Sequence, residues 1–184
     1  METKVGQTRL VLVRGDITEQ ATDAIVNAAN TTLLGGGGVD GAIHHRGGPT
    51  ILEACQRIGG ARTGEAVITR GGKLPARFII HAVGPFWSGG ARGEDALLAS
   101  AYRASLRIAA ERKLRSVAFP SISTGAYRFP IERAAAIALR AVRDFLAIDG
   151  HDLEEVRLVL FTDSDLGVYE RALTRTISGG RLEP

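Results

Sequence analysis

Ala24-Ile25-Val26-Asn27-Ala28-Ala29-Asn30, then Thr31-Thr32-Leu33-Leu34, then Gly35-Gly36-Gly37-Gly38-Val39-Asp40-Gly41-Ala42-Ile43-His44 is the stretch that decides the fold. It opens on a short β-branched run, read as a strand over Ala24–Asn27. It closes on a helical stretch from Val39 through His44. Between them lie asparagines and glycines, which supply turns and let backbone approach closely. A strand that passes through such a loop into a helix is the building unit of layered α/β proteins. In those proteins ligands bind beyond the carboxyl ends of the strands.

The same alternation runs outward in both directions. Leu10–Val13, Ala66–Thr69, Phe78–Val83, Ser116–Pro120 and Val156–Phe161 read as strands. Pro49–Ile58 reads as a helix, with Pro49 suited to the first turn, where an N–H would have no partner. Glu94–Lys113 places Leu98, Ala101, Tyr102, Ser105, Leu106 and Ala109 at helical spacing, so one face is buried. Pro130 to Ile148 and Leu166–Ile177 read as the last helices, and the tail from Ser178 reads as frayed. Strands alternating with helices give a layered α/β sandwich, a single domain over 1–184 with its core in about 9–177.

Composition excludes several classes. Hydrophobic residues make up 45% of the 184, enough for a sizeable core. The net charge of +3 comes almost wholly from arginines spread along the chain, which is the pattern of a solvated surface more than of a nucleic-acid stripe. The single cysteine, Cys55, allows no internal disulfide. The start lacks a signal-peptide pattern and no apolar run has membrane-spanning length, so a cytoplasmic protein without membrane contact is expected. The glycine run is not followed by Lys-Ser or Lys-Thr, and it lacks the dinucleotide spacing directly after the first strand. Neither His-Glu-x-x-His nor Gly-x-Ser-x-Gly occurs.

Four strand ends carry polar or glycine-rich groups: Gly15-Asp16-Ile17-Thr18, Asn27 to Asp40, Ser121-Ile122-Ser123-Thr124-Gly125-Ala126-Tyr127, and Phe161-Thr162-Asp163. Side by side they would form one cleft with two facing loops. Successive backbone N–H groups in such loops bind phosphate oxygens, and a helix start favours negative charge. Each hydrogen bond to a charged oxygen contributes about 1.5–3 kcal/mol net, so a diphosphate suits the pair.

The ordered set Gly15-Asp16-Ile17-Thr18, Asp23 to Asn30, Gly35 to His44, Pro75-Ala76-Arg77, His81-Ala82-Val83-Gly84-Pro85 and Ala118 to Gly125 resembles the macrodomain family, most closely its MacroD-type branch. The resemblance covers about Arg9 to Arg175. It implies a three-layer α/β/α sandwich with a central mixed sheet, a cleft for ADP-ribose, and hydrolysis of ADP-ribosyl esters. A reader module that binds without turnover is the alternative. The implied partners are ADP-ribose and ADP-ribosylated proteins, with ADP-ribosylated nucleic-acid ends left open, and the expected state is a monomer.

The resemblance also distributes roles, each with a plainer reading beside it. Asp16, next to Ile17, would accept a hydrogen bond from the adenine amino group, or it caps a helix starting near Ile17. Phe161 would stack on adenine, or it closes the core at the end of the last strand. Asn30 would contact the distal ribose, while Asn27 either joins it or holds the loop. Gly37, Gly38 and Val39 form the first phosphate loop; Ser121, Ser123, Thr124, Gly125 and Ala126 form the second. Tyr127 would cover the distal ribose, or it packs beneath the loop. Asp40 is the expected catalytic carboxylate, with a helix cap as the alternative. His44, four residues on and on the same helix face, orients or relays, or is simply structural. Arg128 stands where similar proteins often have glycine, so it either adds a phosphate contact or disturbs the loop.

Cleavage at the distal ribose C1 builds oxocarbenium-like charge. Asp40 and the substrate's own phosphate would place the attacking water, and a carboxylate leaving group needs little acid assistance. No cofactor is expected. No metal is expected either, since Cys55 and the scattered histidines show no zinc spacing.

Overall fold

The computed structural model describes residues 1–178. Seven strands are present: β1 (Glu2–Val5), β2 (Thr8–Arg14), β3 (Ala24–Ala29), β4 (Ala66–Arg70), β5 (Phe78–Val83), β6 (Ser116–Phe119) and β7 (Glu155–Leu160). Five α-helices accompany them: α1 (Gly38–Gly47), α2 (Pro49–Ile58), α3 (Glu94–Glu111), α4 (Ile131–Leu146) and α5 (Asp163–Ser178). A 3-10 turn spans Ile17–Glu19. The strands form one sheet in the order β1-β2-β7-β6-β3-β5-β4. The inner five are parallel, and β1 and β4 are antiparallel at the edges. The central mixed sheet expected from the sequence is thus present.

Side chains alternate across this sheet and so build two cores. One face presents Leu10, Leu12, Ala24, Val26, Ile80, Ala82, Val117, Phe119 and Leu158, which pack on residues of α3, α4 and α5. The other presents Ile25, Ala29, Ile79, Val83, Ala118 and Val159, which pack on Ile43 of α1 and Ile51 and Cys55 of α2. Helices therefore cover both faces, giving the three layers. Helix α4 buries Ala134, Ala135, Ala138, Leu139, Ala141, Val142 and Leu146, a stripe at helical spacing that is mostly alanine and lets the helix lie close to the sheet.

Several element ends differ from the sequence reading by one to three residues, and two departures have a plain physical cause. Strand β1 was not expected: its residues alternate between exposed and half-buried at the sheet edge, so no apolar run marks it. Helix α5 begins at Asp163, three residues before Leu166, because Asp163 and Asp165 in the first turn favour the helix N-terminus. Pro49 opens α2 as expected. The frayed tail expected beyond Ser178 lies outside the described residues. Among the described residues, no helix is long and apolar enough to cross a membrane.

Candidate functional site

All five parallel strands end on the same side, and the cleft lies there. The loops after β3 and β6 form its walls, with Gly84 from the end of β5 contributing to the lining. Its volume is about 230 Å³. That is below the roughly 300–1,000 Å³ of sites that engulf a whole ligand, so a longer ligand would extend beyond it over the surface.

The first wall is the loop from Asn30 into α1. Asn30 holds this loop: its Oδ1 accepts from Thr32 N (3.1 Å), Thr32 Oγ1 (2.6 Å) and Leu33 N (3.1 Å), and its Nδ2 donates to Gly35 O (2.9 Å). One Nδ2 hydrogen stays uncommitted, and Asn30 lines the cleft. Gly37, Gly38, Val39 and Asp40 line it too. No side chain caps the start of α1, so its first N–H groups are left for a ligand or solvent. Gly41 has to be glycine, because a Cβ there would lie 2.6 Å from Gly36 O.

Asp40 is 5% exposed. Its Oδ1 accepts from Asn27 Nδ2 at 2.8 Å. Its Oδ2 lies under the glycine loop, where a Cβ on Gly36 would approach it to 3.2 Å. His44 Nε2 is 3.3 Å from Oδ1, but it lacks the alignment of a hydrogen bond and has no other partner among the described residues. Asn27 itself is fully buried, one layer beneath the cleft. The same α1 turn thus brings Asp40 and His44 together, and the fold sets Asn27 behind them.

The second wall, Ser121–Tyr127, is held from beneath by two fully buried tyrosines. Tyr102 accepts from Ile122 N (3.2 Å) and donates to Pro120 O (3.3 Å), and Tyr169 shares a 2.7 Å hydrogen bond with Ser121 Oγ. Thr124 Oγ1 folds back onto Ser121 O at 3.1 Å. Ser121, Ser123, Gly125, Ala126 and Tyr127 line the cleft, and Thr124 does not. Ser123 and Arg128 have φ of 67° and 60°, the left-handed region that favours glycine. This is the physical reason glycine suits position 128. Arg128 keeps the turn all the same, with its N–H on Gly125 O at 3.0 Å, and its side chain is exposed.

Tyr127 stacks on Phe86, ring centroids 3.7 Å apart. Burial and the Asp40 charge both push its phenol above the usual range. Phe86 is 63% exposed and its segment is fixed twice. Trp87 N donates to Tyr127 O, and Glu94 accepts from the backbone N–H groups of Ser88, Gly90 and Arg92. Burial raises the Glu94 carboxyl, but these donors outweigh it and hold the group below its ordinary value.

Asp16 and Phe161 do not line this cleft; they follow the ends of the neighbouring strands β2 and β7, where Gly15 N donates to Leu160 O. Asp16 Oδ1 accepts from Thr18 N (2.8 Å) and Thr18 Oγ1 (2.6 Å), so the capping reading holds. Among the described residues its Oδ2 has only Arg46, at 3.6 Å, and can still accept from a donor. Burial raises the Asp16 carboxyl; the Thr18 hydrogen bonds and Arg46 outweigh it and leave the group below its usual value. Ile17 is buried beneath this end. Phe161 is 74% exposed, which excludes the core-closing reading and leaves a flat ring facing outward.

The histidines are less scattered than the sequence implies. Ligand atoms of His44, Cys55 and His81 lie within 4.8 Å of one another, because α1, α2 and β5 meet under the first wall. Burial and the Asp40 charge push the Cys55 thiol up to about 11, so it is protonated at neutral pH. Burial and His44 push His81 down to about 4, so its ring is neutral. Both His81 nitrogens already have neighbours within 3.1 Å. A protonated thiol is a poor metal ligand, while a neutral imidazole keeps its ligand character.

Sequence reading missed Gly84, Phe86, Tyr102 and Tyr169. Tyr102 was read only as a core residue, although its hydroxyl is one of the polar groups that pin the loop. Gly84 had a signal in the stretch His81-Ala82-Val83-Gly84-Pro85: a Cβ there would lie 2.1 Å from Ser123 Oγ.

A parallel sheet with two facing loops and a buried carboxylate at its carboxyl end defines a ligand-binding α/β/α domain. The Macro domain family model matches residues 26–138. The chain is 59% identical over 161 residues to a macro domain-containing protein of Chlorobaculum tepidum, spanning 88% of this chain and 93% of that one. It is 50% identical over 174 residues to the O-acetyl-ADP-ribose deacetylase of Shigella flexneri, spanning 92% and 97%. A variant of the Oceanobacillus iheyensis macrodomain solved with ADP-ribose superposes with a TM-score of 0.92 at 46% identity, over 97% of this chain and 98% of that one. The chain belongs to the macrodomain family.

Proposed function

We propose that this macrodomain binds ADP-ribose and hydrolyses ADP-ribosyl esters, releasing mono-ADP-ribose from aspartate or glutamate side chains and accepting O-acetyl-ADP-ribose as a second ester. The observation that carries the reading is Asp40: a carboxylate buried under the glycine loop, tied on one oxygen, with the other toward the cleft wall that faces Tyr127. In support, two facing loops that carry glycines line the cleft, an arrangement whose backbone N–H groups suit a diphosphate. In this reading adenine stacks on the exposed Phe161 with its amino group at the free Asp16 Oδ2, and the distal ribose packs against Asn30 and Tyr127, which line the cleft. The ADP-ribose complex of the Oceanobacillus relative and the deacetylase name of the Shigella relative point the same way.

In this reading Asp40 orients a water toward the ester while the loops fix the ribose. The ester C–O bond breaks, the acyl group leaves as a carboxylate, water supplies the oxygen and hydrogen of the new ribose hydroxyl, and its second proton is released to solvent. The test is release of ADP-ribose from a target mono-ADP-ribosylated on glutamate, with Asp40→Ala beside wild type and calorimetry for both. Release lost in a variant that still binds supports the hydrolase. Binding without release from this substrate or from O-acetyl-ADP-ribose makes the protein a reader of the modification.

A further inference from the structure

We propose that His81 and Thr69, on the two strands behind the cleft, are positioning residues that set the direction of the Asp40 carboxylate through Asn27. The proposal rests on the role given to Asp40 above.

Four side chains on the α1/α2 side of the sheet form one buried chain. Asn27 and His81 are register partners on β3 and β5. Asn27 Nδ2 donates to Asp40 Oδ1 at 2.8 Å and sits 3.1 Å from His81 Nδ1. His81 Nε2 sits 2.8 Å from Thr69 Oγ1, which in turn donates to Arg70 O at 3.2 Å. Asn27 and His81 are fully buried and Thr69 is 7% exposed. Strands this apolar carry polar residues at a free-energy cost, which function or an internal partner must offset.

Proton positions follow from donor arithmetic. An amide nitrogen has two hydrogens. One points at the Asp40 carboxylate, so the other must find an acceptor in His81 Nδ1. Nδ1 is then bare and the ring proton is on Nε2. That proton goes to Thr69 Oγ1, whose own hydrogen is used on Arg70 O. Every member is directed by the next, and Arg70 O ends the chain. Asn27 Oδ1 is buried without a partner among the described residues, so its amide is oriented only from the Nδ2 side. The His44 ring does not replace this hold, since its Nε2 is not aligned on Asp40. Cys55 Sγ lies 3.7 Å from His81 Nε2, too weak a partner to hold the tautomer alone.

Removing the Thr69 hydroxyl leaves the buried Nε2–H without its acceptor, and the ring does better with its proton on Nδ1. That proton faces the Asn27 amide, which must rotate and turn its oxygen toward Nδ1–H and toward Asp40. The carboxylate then loses its donor and meets a repelling oxygen. Thr69 makes no contact with the cleft, so the effect reaches Asp40 only through this chain.

Two substitution pairs test it. Thr69→Val removes the acceptor and Thr69→Ser keeps it. His81→Asn keeps an acceptor at the Nδ1 position, and His81→Gln keeps only a donor toward Thr69. Thr69→Val and His81→Gln lower the rate of ADP-ribose release by about 10- to 100-fold, as removal of residues that orient a site's working groups typically does. Their ADP-ribose affinity stays within about twofold of wild type, the pattern of an interaction lost only in the transition state. Thr69→Ser and His81→Asn recover most of the rate. A purely structural role would move Tm and leave no such split within each pair. Nitrogen-15 spectra of the imidazoles give an independent readout: wild-type His81 is protonated on Nε2, and in Thr69→Val the proton moves toward Nδ1 while the Asp40 carboxyl carbon resonance shifts. That readout needs no turnover, so an inactive wild type would sink the ester hydrolase and still leave the chain decided. An unchanged tautomer and Asp40 resonance in Thr69→Val overturns the proposal, as does equal impairment of the two position-81 variants at equal Tm.

Discussion

The two walls of the cleft are held in opposite ways. The first rests on a polar chain that ends in a charge: Thr69, His81 and Asn27 lead to Asp40. The second rests on tyrosine hydroxyls, Tyr102 and Tyr169, beneath Ile122 and Ser121. A carboxylate needs its direction fixed, and buried donors do that. A backbone proposed to bind phosphate needs its N–H groups kept free, and the tyrosines support it from below through Ser121 Oγ, Pro120 O and a single N–H, that of Ile122. Under the proposed function this difference is a division of labour: the first wall orients the reacting carboxylate, and the second shapes the binding surface.

The largest expected effect breaks the first wall alone. Asp40→Ala lowers release of ADP-ribose by about 100-fold or more, the range for loss of a positioned acid–base group. Calorimetry on the same variant shows ADP-ribose still bound. Equal loss of binding and turnover would erase the division between the walls.

Next comes the junction of the walls at the end of β5. Gly84→Ala puts a Cβ 2.1 Å from Ser123 Oγ and 2.6 Å from the Ile122 side chain. The second loop must shift, destabilising the fold by about 1–3 kcal/mol as overpacking does. ADP-ribose affinity falls with it, readable by thermal melts and calorimetry. An alanine accommodated at full affinity would show that the second wall is not rigid.

Tyr169→Phe sharpens the same point with less disruption. Losing the Ser121 partner costs about 1 kcal/mol of stability. It weakens ADP-ribose binding and leaves the rate of the bound ester unchanged, measured at saturating substrate. A drop in that rate instead would give the second wall a part in the chemistry.

The smallest effect has the opposite sign. Arg128→Gly relieves a left-handed residue at φ 60°. The gain is about 0.5 kcal/mol: the left-handed cost of about 1–2 less the entropy that glycine adds to the unfolded chain, about 0.4–1. A small rise in Tm with unchanged ADP-ribose affinity checks it. Weaker binding would mean that the exposed guanidinium contacts phosphate.

The layers were legible because apolar periodicity is local. Ile25 and Val26 announce a strand, and the alanine stripe of α4 announces a helix, from neighbours within a few residues. The loops were legible for a related reason: turns and helix starts need glycine, asparagine and aspartate at fixed offsets, so Asn30, Gly37 and Asp40 stood out. What stayed hidden is set by pairing across distance. Strand β1 has no apolar run and exists through its register with β2. Asn27, read as either a ribose contact or a loop holder, lies beneath the cleft, because strand alternation puts it on the buried α1/α2 side beside His81. Phe161 had two readings until its exposure removed one. By itself, then, the sequence determined the α/β layering, the two loops and the carboxylate at the head of α1, since each depends on residues close along the chain. Only the tertiary structure decided what stands behind that carboxylate: Asn27, His81 and Thr69 come from three strands, and a hydrogen bond between distant residues leaves no period in the sequence.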